Sequence, residues 1–400
     1  MFKKPTVILL MLAACGDNSH PGQHTDGGVD GAVLDAATDG IPDGPTPCSS
    51  NAALEALASG DLVLDATQAA NFAPLTVALG RSVLFVTVNE REPSPAYGGV
   101  LCELKAADLA ANTVAGVECS RNNAGTDTGL GIINVRWTVA TFSAGVSVQR
   151  GEAQTYITNP SIIALSPAVD TAKSFVLLGG IVNGGTGWGN NEFARAQLVD
   201  GSTLNISTAV PGTSVAWQIV TVDGATVQRG TTAFASADTQ HVVNVAASPR
   251  PLLLASYTTD NSSGIAAATV MLQASSANTQ LTLQRDLNGS GLNVSWELVT
   301  LPFVTRQATT AFALTETTKT VTVANLPSAS SVAIGTAQAV LGESSGATDY
   351  AGADLDVPGE AAATMSVTDN NVTLKRATGE SNANISWTAI DFSHNECTPH

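Results

Sequence analysis

The sequence predicts an all-β protein, a tandem array of four antiparallel β-sandwich modules of about 80 residues after a disordered tether. Three observations lead there. A tryptophan-bearing stretch recurs around Trp137, Trp217, Trp296 and Trp387, at spacings of 80, 79 and 91 residues, and self-similarity of this period marks an array of units. Apolar residues alternate within each stretch, as in Val135-Trp137-Val139, Val215-Trp217-Ile219 and Val294-Trp296-Leu298, which is the period of a half-buried strand. The chain is only 13% charged and 5% aromatic, and the remainder is rich in Val, Thr, Ser, Asn and Gly, the material of strands and turns.

The amino terminus reads as an address. Lys3 and Lys4 precede an apolar run from Val7 to Leu12 that ends at small residues, too short to span a bilayer and arranged as a secretory signal. Leu12-Ala13-Ala14-Cys15 resembles the lipobox of bacterial lipoproteins. That resemblance implies that residues 1–15 are a signal peptide ending in a lipidated Cys15, whose acyl chains hold the protein to a lipid bilayer of the cell envelope, with the outer membrane preferred.

From 16 to 47 the chain carries Asp17, Asp26, Asp30, Asp35, Asp39 and Asp43 with no Lys or Arg. Such a segment buries too little apolar surface to fold and its like charges extend it, so it reads as an acidic tether.

The folded region divides at 48–143, 144–223, 224–302 and 303–397. The phase comes from the ends: nothing like VQRG follows Trp387, and an isolated strand, Leu62 to Gln68, precedes the first Trp stretch. Each unit therefore starts on the VQRG-type strand and ends on the Trp strand, with six short strands between turn clusters, as in an antiparallel sandwich. Propeller blades of four strands would be shorter. Asn51 to Ala58 reads as a brief helix, and the four repeat tryptophans read as one core indole per module. A six-stranded module that opens near V-Q-x-G and closes on V-x-W-x-x is similar to the H-type lectin domain, which implies glycan binding without pointing to particular sugar-binding residues here.

Of five cysteines, removing Cys15 leaves an even number in an exported chain, which favours disulfides over metal ligation. Cys102 and Cys119 lie on successive expected strands and should pair; by elimination Cys48 would join Cys397.

Chemistry finds little material. The folded region holds His241 and His394 besides the terminal His400, too few bases for triads or zinc sites, so no enzyme, metal site or cofactor is expected. Gly342-Glu343-Ser344-Ser345-Gly346 matches a nucleophile-elbow pattern but sits between strands. Asp286 to Glu297 mimics a calcium loop but joins strands where helices are required. A net charge of −17 repels a phosphate backbone and argues against nucleic acid.

The remaining candidates are aromatic residues near the third-to-fourth strand connections: Tyr97, Trp188 with Asn190 and Asn191, Tyr257 and Tyr350, set among amide and carboxylate groups. A sugar packs its C–H face on such a ring and hydrogen-bonds its neighbours. Recurring Arg121, Arg150, Arg229, Arg285 and Arg376 are expected to lay their stems on the sheets and keep their heads in water. The sequence thus points to non-catalytic surface recognition or adhesion, with a cell-surface glycan or protein as ligand, and secondarily to an envelope spacer without a ligand.

Overall fold

The computed structural model describes residues 50–65, 69–89, 99–108, 115–122, 132–155, 157–183, 190, 192–209, 211–260, 265–340, 361–377, 379 and 381–395. Module 1 comprises β1 (Ala53–Leu64), β2 (Ala70–Pro74), β3 (Ser82–Asn89), β4 (Leu101–Lys105), β5 (Gly116–Ser120) and β6 (Ile133–Ala144). Module 2 runs through β7 (Val146–Gln154), β8 (Ser161–Ala164), β9 (Ser174–Asn183), β10 (Ala194–Asp200), β11 (Thr203–Thr208) and β12 (Thr213–Val222). Module 3 has β13 (Thr226–Phe234), β14 (Gln240–Asn244), β15 (Leu252–Thr259), a single-turn helix α1 (Ile265–Ala268), β16 (Met271–Ala274), β17 (Gln280–Gln284) and β18 (Leu292–Thr300). Module 4 consists of β19 (Phe303–Phe312), β20 (Thr318–Thr322), β21 (Ser331–Val340), β22 (Thr364–Thr368), β23 (Asn371–Lys375) and β24 (Asn382–Asn395).

One topology repeats. Within a module the first, sixth and third strands form an inner sheet in the order 1-6-3, and the second, fifth and fourth form an outer sheet in the order 2-5-4. All pairings are antiparallel, as in β13–β18–β15 and β14–β17–β16. Period-two alternation sends Val294, Trp296 and Leu298 against the outer sheet, where they meet Leu272, Leu281 and Leu283. Equivalent cores hold Trp137, Trp217 and Trp387, and each of the four indoles is at most 8% exposed.

The other face of the Trp strand overturns the expectation of half-buried strands. A fifth core gathers Phe85, Ala140 and Phe142 from module 1, Phe175, Val220 and Val222 from module 2, Leu252, Val299 and Leu301 from module 3, and Phe303, Ile334, Ile390 and Phe392 from module 4. The inner sheets therefore face a shared axis and are covered on both sides, which is why the Trp strands end in nearly continuous apolar runs. Phe392 packs edge-on against Phe142 and Phe303, with centroids 5.5 and 5.2 Å apart.

The array closes on itself. The fourth strand of each module lies across the third strand of the next: β4 on β9, β10 on β15, β16 on β21, and β22 back on β3. Three of these joints share one device. Hydroxyls of Ser256, Thr336 and Thr87 accept hydrogen bonds from the backbone N–H groups of Ala196, Leu272 and Met365 at 2.9, 3.0 and 2.9 Å. The fourth joint replaces side chain with backbone: β4 pairs with β9 at Leu101 and Gly180, extending one sheet over six strands, and Ile181 N–H donates to Val100 O at 2.8 Å. Gly180 holds φ +117° at a register shift, a conformation open to glycine, and a Cβ there would collide with the carbonyl of Val100.

Residues 51–58 are not helical. Ala53–Leu64 forms β1, paired with β6. Leu54 and Leu57, three apart as on a helix face, both pack on the axial core because register shifts between Ala53 and Ala56 add a residue between them. A β-bulge thus imitates helical spacing. Leu62 consequently lies within the last residues of β1, which ends at Leu64, and does not start an isolated strand.

Cys102 and Cys119 are bonded, directly opposite each other on β4 and β5. The matching positions elsewhere hold the apolar pairs Ala196/Ile206, Leu272/Leu283 and Met365/Leu374, so the disulfide stands in for a packed cross-strand pair. Closing a loop of this size contributes about 3 kcal/mol on a chain-entropy estimate.

Candidate functional site

The third strands β3, β9, β15 and β21 run side by side around the axis, and one cavity of about 160 Å³ is lined by all four, at Leu84 to Val86, Val176 to Leu178, Leu253 to Ser256 and Ile334 to Thr336. An adjoining pocket of about 340 Å³ shares Val86, Ala255, Gly335 and Thr336 with it and continues to Val88, Phe193, Tyr257, Val270, Ala363 and Met365. These last residues stand where third strands end and fourth strands begin, so the axis has its mouth at that end.

The residue after each repeat tryptophan points toward the axis, opposite to the indole: Thr138, Gln218, Glu297 and Thr388, between 2% and 8% exposed. Two of them bind the module before. Gln218 accepts from Leu84 N–H at 3.0 Å and donates to Leu84 O at 2.8 Å, completing the free edge of β3 as a strand would. Glu297 accepts from Val176 N–H at 2.8 Å, at the equivalent place on β9, and from Arg229 Nε at 3.1 Å. Burial pushes the Glu297 carboxyl above its ordinary range, while Arg229 and the Val176 N–H draw it back. Beside it the Ser295 hydroxyl is buried and has no hydrogen-bond partner among the described residues.

The recurring arginines do not keep their heads in water. Arg150 and Arg229, on first strands, reach the preceding module: Arg150 donates to the carbonyls of Leu79 and Ser82, Arg229 to those of Thr171 and Ser174. In module 4 Gln307 does the same to Pro251 O. Burial lowers the Arg150 guanidinium to about 10. Arg121, Arg285 and Arg376 follow the fifth strands and are 1% to 4% exposed. Arg285 donates to the carbonyls of Ala235, Asp238, Ala267 and Ser290 and lies over the Phe234 ring. Backbone carbonyls gathered at module joints and turns outcompete water for these donors, because buried carbonyls need hydrogen-bond partners.

Tyr257 is half-buried and lines the mouth of the axis. It lies on β15, packed with the module 3 core, and its ring stacks on Phe193 of module 2 at 5.5 Å. Burial of the hydroxyl, which meets the Val270 backbone, pushes its pKa up to about 12. Asn190 is half-buried, just before β10. Tyr97, Trp188, Asn191 and Tyr350, the cysteines Cys15, Cys48 and Cys397, and the Gly342 to Gly346 pattern lie outside the described residues. The 286–291 segment forms the turn between β17 and β18, with Gly289 at φ +126°. Among the described residues no group of three or more His, Cys, Asp or Glu is placed to hold a metal ion, and no helix is long and apolar enough to cross a membrane.

No family model and no curated protein matches this chain.

Sequence reasoning missed Gln218, Glu297 and Ser295. The available signal for Gln218 and Glu297 was a polar residue directly after every repeat tryptophan, on the face opposite the indole; no such signal marked Ser295.

Proposed function

We propose that this is an exported, lipid-anchored, non-catalytic recognition protein of the cell envelope, held to the outer membrane through acylated Cys15, with a cell-surface glycan as the first ligand to test. The observation that carries the reading is the convergence of the third-strand ends on one axial mouth. Segments bearing Tyr97, Trp188 and Tyr350 follow those strands in the chain, so the four modules would offer one composite face in place of four separate sites. A composite face of several weak contacts would gain avidity if they engage one surface together.

The test is a glycan array and a whole-cell binding assay with the purified full chain, beside Trp188→Ala. Binding that is lost in the folded variant supports the reading; binding unchanged by the substitution removes Trp188 from it. Intact-mass measurement of the membrane fraction checks the anchor, since acylation would appear on wild type and vanish in Cys15→Ser. A second reading, an envelope spacer without a ligand, is favoured by the core shared among all modules, which builds a rigid body from repeats. That reading takes over if the folded protein binds nothing in either screen.

A further inference from the structure

We propose that the axial cavity binds one neutral, ring-sized alcohol, with its ring among Phe85, Leu177, Leu254 and Ile334 and its hydroxyl between Ser295 and Glu297. The cavity measures about 160 Å³, close to the roughly 150 Å³ apolar cavity that takes up a benzene molecule. Apolar side chains of all four modules line it, with four polar ones, Ser256, Thr336, Ser295 and Glu297; Ser256 and Thr336 already bond the backbone of Ala196 and Leu272, which leaves Ser295 and Glu297 for a ligand. Ser295 Oγ is buried with no partner among the described residues, and an unmade hydrogen bond at such a site costs free energy that a ligand hydroxyl would recover.

A hydroxyl fits this pair on donor and acceptor grounds. Ser295 both donates and accepts, whereas each Glu297 oxygen already accepts one hydrogen bond, from Val176 N–H or Arg229 Nε, and has a lone pair left. A ligand O–H that donates to Glu297 can accept from Ser295, satisfying both. Charge excludes the neighbouring classes: an ammonium would bury a second cation beside Arg229, and a carboxylate a second anion beside Glu297. Entry is through the adjoining pocket at Val86, Ala255, Gly335 and Thr336. This site is separate from the recognition face and does not rest on it.

Phenol and benzene serve as probes against the full chain, followed by ligand-observed NMR titration and thermal unfolding. The expected result is saturable binding of phenol at millimolar concentration with a raised melting temperature, and phenol preferred over benzene. Ser295→Ala should weaken phenol about fivefold, the loss of one ordinary hydrogen bond, and leave benzene unchanged. Leu254→Phe, which fills the cavity, should abolish both. Absence of phenol binding to the folded wild type overturns the proposal, as does a phenol-to-benzene ratio that Ser295→Ala fails to move. If Leu254→Phe does not fold, the Ser295→Ala comparison decides.

Discussion

Gly151 lies directly opposite Trp217 across the first and sixth strands of module 2, and the indole occupies the space a side chain would need: a Cβ on Gly151 would come within 2.9 Å of the Trp217 Cζ2. The pairing repeats as Gly60 with Trp137 and Gly230 with Trp296, while module 4 pairs Ala308 with Trp387. The glycine of the VQRG motif is therefore the floor of a tryptophan pocket. Gly151→Ala and Gly230→Ala should each destabilise by about 1 to 3 kcal/mol, the range for overpacking a filled core. Ala308→Gly should cost about 1 kcal/mol or less, since only strand propensity is lost. Chemical denaturation followed by tryptophan fluorescence distinguishes the two; equal costs at all three sites would contradict the pocket assignment.

The same four indoles differ at their N–H. Trp296 Nε1 donates to Thr232 Oγ1 at 3.2 Å and Trp387 Nε1 to Thr310 Oγ1 at 2.9 Å. Trp137 and Trp217 have no partner there among the described residues, because the positions of Thr232 and Thr310 are occupied by Leu62 and Ala153. Thr310→Val should cost about 1 to 3 kcal/mol by stranding a buried donor. Ala153→Ser, which supplies the missing acceptor, should gain about 0.5 to 1.5 kcal/mol. Urea midpoints read both, and a destabilised Ala153→Ser would mean that the site has no room for a hydroxyl.

Much of this arrangement is legible in the sequence because it depends on local periodicity. Val215-Trp217-Ile219 names its own buried face, and Gly151 and Gly230 in VQRG mark a close approach, though not what approaches. The axis is not legible, since it depends on where modules meet: Val220 and Val222 could face solvent, a partner or a neighbour with the same alternation. Arg285 misleads for a related reason. A long cationic side chain at a strand end is usually solvated, and only the fold brings four backbone carbonyls around it.

That environment makes Arg285 testable. Arg285→Met keeps the packing volume but removes the guanidinium from the carbonyls of Ala235, Asp238, Ala267 and Ser290, of which Ala235 O keeps the Asp238 N–H and Ala267 O the Ser290 hydroxyl. The expected loss is about 3 to 5 kcal/mol. Arg285→Lys should rescue little of it, because one ammonium cannot span sites arranged for a planar fork. Hydrogen exchange at the turns around Ala235 and Ser290 should rise in both variants; a lysine variant as stable as wild type would show that charge, and not geometry, fixes these turns.

Glu297 gives the sign of a pH dependence. Its carboxyl is held above the ordinary value chiefly by burial, so the folded state binds its proton more tightly than the unfolded state. Its contribution to stability is full below the unfolded value, about 4.3, and is lost as pH rises through the raised folded value. Module 2 shows what a neutral residue does at the same position, since Gln218 meets both backbone groups of Leu84. Glu297→Gln should accordingly keep the hydrogen bond from Val176 N–H and add one to its carbonyl. Arg229 retains the carbonyls of Thr171 and Ser174, as Arg150 retains its own two beside Gln218. Subtracting the stability of the variant from that of wild type removes every other titrating group. The difference should fall as pH is raised above about 4.3 and then level off. A difference that stays flat, or that rises with pH, would mean that the ion pair with Arg229 outweighs the cost of burying the carboxylate.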